Sequence, residues 1–474
     1  MALLSDSSTV RIPDLNSNES DPMWVGRTIY FISDRDGPAT LYAYDTDTRQ
    51  VKRVIDNTGF DITSASRGPG GIVYSQFGEL HIYDFATGTE HAVPVTVAGD
   101  LPQRRPHFAD VGKEIATADV SPNGVRAVFE AHGDILTVPA QHGSPENLTH
   151  SPGVMDRNPA WSPDGQLIAY FSDRAGEYDL EIRHEDGSGA VRRIALGQDD
   201  AFYYAIRWSP DSKKLLFTDQ KLDFWYVDLA QAAPRPVKVA TDDFDPLHDP
   251  RARWSPDSRW IAYTRVSPNY LHAIYIYSLA DGSTHQVTDG TSDCMDPVFD
   301  ADGKYLYFTS STDVGLAAGW LDMTQLERPV TRQVYAATLR ADLPSPIAPR
   351  SDYEKASSPA SKPQQAGKKG KKGEAAGAEQ KPPAVAIDFQ GLEARAVPLP
   401  IPAANYVDLE AGKKGVLYLV KAPDVLTEAD SGPNGPPLAI LSFDLGSRKT
   451  DDVVDGVTGF TLAANGGKML YQRG

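Results

Sequence analysis

The sequence Trp161-Ser162-Pro163-Asp164-Gly165 returns as Trp208-Ser209-Pro210-Asp211-Ser212 and again as Trp254-Ser255-Pro256-Asp257-Ser258. Looser copies flank these three: Val120-Ser121-Pro122-Asn123-Gly124 and Phe299-Asp300-Ala301-Asp302-Gly303. Counted from Ser121, the steps are 41, 47, 46 and 45 residues. A period in the forties, built of strands, marks a β-propeller in which one repeat is one blade.

Residues 157–197 show how a blade is written. Pro159-Ala160-Trp161 ends a first strand, and Ser162-Pro163-Asp164-Gly165 suits a type I turn, with proline setting φ at the second position. Leu167-Ile168-Ala169-Tyr170-Phe171 is an apolar second strand, and Asp179-Leu180-Glu181-Ile182-Arg183 alternates as a half-buried third. A more polar fourth strand runs from Val191 to Leu196. Tyrosine and tryptophan at these positions read as core between blades.

The chain shows eight such blades and a ninth begun at Phe460. A single ring of that size strains the usual four to eight. The expected fold is therefore all-β: two propellers of four-stranded antiparallel blades, each incomplete in this chain. The sharp turn begins after Met155, which puts the expected boundary in 145–156. Residues 1–150 then hold about three blades and residues 151–474 five and a fraction. Residues 351–384, centred on Lys368-Lys369-Gly370-Lys371-Lys372-Gly373, have almost no large apolar side chains and read as a disordered insertion within a blade.

The formal net charge of -18 argues against a general nucleic-acid binder. Cys294 is the only cysteine, so no internal disulfide and no cysteine-based metal site is open to the chain. No apolar run approaches the ~20 residues that span a bilayer. The N-terminus lacks the basic start of a signal peptide, which together with the single cysteine points to the cytoplasm, a periplasmic site remaining open if the N-terminus is incomplete.

A search for chemistry returns no Gly-x-Ser-x-Gly elbow, no His-Glu-x-x-His and no phosphate loop. The ten histidines are scattered and read as satisfied strand or loop residues, His272 among them. No catalytic, cofactor-binding or metal-binding residue is expected. One polar cluster stands out, Arg104-Arg105-Pro106-His107. Adjacent Arg104 and Arg105 at a propeller face could hold a peptide carboxylate by bidentate hydrogen bonds; the plainer reading is a salt bridge to an acidic loop.

The middle of the chain resembles the tricorn protease family. The likeness rests on Met155–Asp173, Leu222–Asp228, Asp296–Asp300, Ile387–Glu393 and above all 309–346, with Ser310-Ser311-Thr312-Asp313-Val314-Gly315-Leu316 and Gly319-Trp320-Leu321-Asp322-Met323. It implies a six-bladed propeller, of which 1–150 would be the last blades, and a seven-bladed one supplying 151–474. It also implies a serine peptidase whose catalytic residues lie beyond Gly474, so this chain would be a fragment acting as substrate sieve, channel and assembly scaffold. Peptides, aminopeptidase-type partner proteins and a hexameric assembly are the implied partners. Two other readings remain: a free-standing TolB-like propeller that binds a protein, and the cap of a prolyl-oligopeptidase-like enzyme.

Overall fold

The computed structural model describes residues 2–3, 9–10, 12, 16–96, 98–99, 109–197, 201–242, 251–314, 317–318, 321–322, 329, 331–350, 383–425 and 435–473. Among them the chain is strand throughout, apart from one short 3-10 turn at Glu393–Arg395. Eight four-stranded antiparallel meanders and a final two-stranded sheet follow one another in sequence. These are the eight blades and the partial ninth that the repeat predicts.

The chain forms two compact units. The first, residues 1–109 with 198–200, holds the blades Glu19–Arg53 and Ile62–Ala92. Met23, Ile32, Leu41, Ile62, Ile72 and Tyr74 form the core they share. On the other face of the first blade, the Arg35 guanidinium lies 5.1 Å from the ring centres of both Phe31 and Tyr42.

The second unit, residues 110–197 and 201–474, holds the rest. Blade 1 runs from Ile115 to Asn147, blade 2 from Asp156 to Ile194 and blade 3 from Tyr203 to Thr241. Blade 4 spans Ala252–Gln286, blade 5 Asp293–Pro398 and blade 6 Tyr406–Val457. Blade 7 has two strands, Gly459–Leu462 and Met469–Gln472. Blade 5 pairs Gln333–Thr338 with Ala396–Pro398 across the segment that contains the lysine-rich insertion; residues 351–382 of it lie outside the described residues.

Each core belongs to two neighbours, which is why the second and third strands are apolar on both faces. Val128 and Ile135 of blade 1 pack with Trp161, Ile168 and Tyr170 of blade 2. Leu180 and Phe171 of blade 2 pack with Trp208 and Phe217 of blade 3. The same sharing recurs between blades 3 and 4, 4 and 5, and 5 and 6.

The ring returns to its start. Thr461 Oγ1 of blade 7 donates to Asp119 Oδ1 of blade 1 at 3.2 Å, and Lys468 Nζ donates to the Gly124 carbonyl at 3.2 Å. On the other side, a Cβ on Gly466 of blade 7 would stand 3.0 Å from the Lys413 nitrogen of blade 6. Seven blades thus surround one axis.

The division between units falls at residue 109, not in the expected 145–156. Blade 1 was misassigned because its turn has Val120 in place of tryptophan. Tertiary contacts decide membership, and blade 1 shares its core with blade 2. The first unit therefore has two blades here, not three, and the second has six and a half.

The repeated turn does more than reverse the chain. Ser162 Oγ donates to Asp164 Oδ1 at 2.6 Å and accepts from Leu167 N at 2.9 Å, and the serines of blades 3 and 4 do the same. These serines are fully buried. Where Gly165 closes the first turn, Ser212 and Ser258 close the next two at φ of 54° and 60°. The left-handed conformation costs a serine about 1 kcal/mol. The hydroxyls offset it across blades: Asp164 N donates to Ser212 Oγ at 3.0 Å and Asp211 N to Ser258 Oγ at 3.1 Å. Trp208 Nε1 donates back to the Ala160 carbonyl at 3.0 Å, and Trp254 Nε1 to that of Arg207 at 3.2 Å.

In blade 5 an aspartate, Asp300, stands where the serine should be. Its carboxyl accepts from Tyr307 Oη at 3.1 Å and Gly415 N of blade 6 at 3.0 Å, and it faces Asp302. Burial and the hydrogen bond to Asp302 push Asp300 up to about 6, while Asp302, held by Asp300, Lys304 and Lys414, falls to about 2 despite its burial. A carboxyl raised in the folded state favours folding when protonated, so stability declines as pH rises from about 4 through 6. Asp300→Asn should flatten that decline, which would otherwise amount to roughly 2 kcal/mol. The gap between urea midpoints at pH 4.5 and 7.5 should narrow in the variant, the remainder belonging to Asp119, which burial raises into the same range; an unchanged gap would refute the assignment.

Candidate functional site in the seven-bladed ring

The innermost strand of each blade faces the ring axis, and its last residue before the turn occupies one equivalent position. Around the ring these residues are Asp119, Ala160, Arg207, Arg253, Val298, Glu410 and Thr461. Equivalent positions on a ring share one level along the axis, so charged side chains there meet across it.

They do meet. Arg253 Nη2 of blade 4 lies 2.7 Å from Glu410 Oε1 of blade 6, passing over blade 5, where the position is the buried Val298. Arg207 Nη1 of blade 3 reaches the same Glu410 oxygen at 3.5 Å. Two residues earlier on the strands a second level repeats the arrangement. Arg251 pairs with Asp296, donates to the Val407 carbonyl and lies 3.5 Å from Asp408 Oδ1; Asp408 also receives Arg253 at 3.3 Å. Inner strands of blades 2, 3 and 5 carry a bulge here, with Asn158, Ala205 and Asp296 at φ of 51°, 56° and 56°. The bulge gives the strand one extra residue and aims it out of the regular alternation.

The electrostatics follow from enclosure. Burial works against the Arg253 charge, but Glu410 and Asp408 outweigh it and hold its pKa above the usual value. Burial and the Arg253 charge lower that of Arg207. Asp119 is pushed up to about 6 by burial, against hydrogen bonds from Trp161 N, Val120 N and Thr461 and the attraction of Arg207. Burial raises Asp296 as well, with Arg251 opposing. Among the described residues the site holds no nucleophile–base pair. It is a set of paired charges on the inner strands, able to orient or retain a charged ligand.

Arg104 and Arg105, the candidates from sequence, lie outside the described residues. His272 is satisfied as expected: Nδ1 is 2.6 Å from Asp293 Oδ1, and Arg332 pairs with the other carboxylate oxygen. That carboxylate, though buried, is held well below the usual range by His272 and Arg332. Burial raises the Cys294 thiol, which sits 3.4 Å from the Ser292 and Ser310 hydroxyls. Sequence reading missed Arg207, Arg253, Asp408 and Glu410. The signal was the dipeptide Arg-Trp opening two of the repeated turns, at 207–208 and 253–254.

Comparison with known families matches residues 115–474 to the tricorn protease second beta propeller domain and residues 1–89 to the tricorn protease N-terminal beta propeller domain. The chain belongs to the tricorn protease family. The two tricorn domains meet the chain on either side of residue 109, in agreement with the compact units. Among curated relatives, the tricorn protease homolog of Saccharolobus solfataricus is 25% identical over 456 residues, covering 96% of this chain and 38% of that protein. Tricorn protease homolog 1 of Streptomyces coelicolor is 26% identical over 482 residues, covering 98% and 43%. The crystal structure of the tricorn protease superposes with a TM-score of 0.58 at 18% identity, over 98% of this chain and 42% of that one. This tricorn chain therefore spans about two fifths of the length of the relatives it matches. Among the described residues no helix is long and apolar enough to cross a membrane.

Proposed function

We propose that this chain is the non-catalytic propeller portion of a cytoplasmic tricorn-type serine protease, and that peptides pass along the axis of its seven-bladed ring. The observation that carries the reading is the ring of equivalent inner-strand residues, whose charges bridge the axis between blades 3, 4 and 6. Propeller blades surround a central channel, and charges placed there act on whatever enters it. The family match favours this over the TolB-like binding module. Peptide hydrolysis would then belong to the rest of such a protease, with homo-oligomers and aminopeptidase-type proteins as its partners, and this chain alone should turn over no peptide.

The native cysteine makes a direct test practical, because Cys294 is buried. Arg207→Cys, in a complete protease whose exposed cysteines outside this chain have been replaced, offers one accessible thiol at the axis. Stoichiometric labelling with a bulky maleimide should cut hydrolysis of a long peptide by about tenfold or more and spare a single-residue chromogenic amide, since a lumen residue governs access and not chemistry. Unchanged long-peptide hydrolysis after full labelling would end the passage reading.

A further inference from the structure

The charges across the axis are not equally engaged. Arg253 is committed: it binds Glu410 at 2.7 Å and Asp408 at 3.3 Å, and only 10% of its side chain is exposed. Arg251 is held by Asp296, the Val407 carbonyl and Asp408. Arg207 differs. Its guanidinium has five N–H donors, but among the described residues it pairs with one partner, Glu410, at 3.5 Å. That partner's oxygen already sits closer to Arg253. The blades surround Arg207, yet 42% of its side chain remains exposed. Of the other acids that act on it, Asp408 is engaged by Arg251 and Arg253, and Asp119 accepts from Trp161 N, Val120 N and Thr461.

We infer that Arg207 is a carboxylate-binding residue of the channel, and that a carboxylate on a passing peptide displaces Glu410 from it. The inference rests on the passage reading and names its charge preference. A carboxylate matches the planar fork of a guanidinium with two parallel hydrogen bonds, which the single long contact to Glu410 does not supply. Glu410 loses little on release, because Arg253 still holds it. The exchange breaks no covalent bond and moves no proton. Either a side-chain carboxylate or a C-terminal one could supply the ligand, since Arg207 keeps 42% of its side chain exposed.

The test is binding of fluorescent alanine- and glycine-based hexapeptides to this chain, read by anisotropy at low salt. Three probes separate the sources: one with a central glutamate and blocked ends, one neutral with a free C-terminus, and one neutral with both ends blocked. The expected result is that Arg207→Gln weakens binding of one or both carboxylate probes by about tenfold and leaves the blocked neutral probe unchanged. Arg207→Lys should recover part of the loss, and Glu410→Gln should tighten carboxylate binding several-fold by removing the competitor. Equal binding of all probes by the parent and Arg207→Gln, or weaker carboxylate binding in Glu410→Gln, would overturn the inference. So would the absence of carboxylate-probe binding by the parent chain. The passage reading would survive each of these if labelled Arg207→Cys still blocks long peptides, so the two failures are distinguishable.

Discussion

Trp208→Ala should lower the stability of the second unit by ~3–5 kcal/mol, the usual loss for truncating a large buried aromatic. Trp208 is 8% exposed and packs in the core that blades 2 and 3 share, against Phe217, Ala160 and Leu215. Removing it opens a cavity at a seam, so neither blade alone can close over the gap. The indole also ties the seam by a second route, its Nε1 donating to the Ala160 carbonyl of blade 2 at 3.0 Å. Trp208→Phe keeps much of the apolar volume and drops that bond, at a cost of about 1–3 kcal/mol for a carbonyl left unpaired. Trp161 offers the control: its Nε1 donates within its own turn, to the Gly165 carbonyl at 3.2 Å. Urea unfolding followed by circular dichroism should rank Trp208→Ala as most destabilised, then Trp208→Phe, then Trp161→Phe. Equal losses for the two phenylalanine variants would show that the cross-blade hydrogen bond contributes nothing.

Arg253→Met should cost a similar ~3–5 kcal/mol, for an electrostatic reason. The substitution keeps an unbranched side chain but strands the carboxylates of Glu410 and Asp408 at the ring axis, with Arg207 as the nearest remaining cation for the first and Arg251 for the second. Half-buried carboxylates left with longer, weaker partners, more than the lost attraction itself, supply most of the penalty. The triple variant Arg253→Met, Asp408→Asn, Glu410→Gln should therefore recover at least half of the loss. Salt should leave the effect of Arg253→Met largely intact, since enclosed pairs are screened far less than surface ones. A triple variant no more stable than the single one would locate the cost in packing.

Much of the architecture was written locally. The Ser-Pro-Asp turn names its own hydrogen bonds, the apolar second and third strands announce two buried faces, and the period counts the blades. The lone histidine in the aromatic strand, His272, was legible as a satisfied core residue because no metal-binding spacing accompanied it. Two things were not written locally. One was the place of blade 1: its turn has drifted from the consensus, and its ring is set by the core shared between Val128, Ile135 and Trp161. The other was the charged set across the axis. Arg207, Arg253 and Glu410 are each an unremarkable polar residue ending a strand, separated in sequence by tens to hundreds of positions.

By itself, then, the sequence determined the blade, because a blade is made of contacts within about forty residues. It determined the family too, since the specific stretches around 309–346 persist at that scale. Closing the ring is a different matter. Hydrogen bonds such as Thr461 to Asp119 join residues from opposite ends of the unit, and only a closed ring brings equivalent strand ends to one level. Charge that looks solvated along the chain becomes enclosed there, where its pairing governs stability.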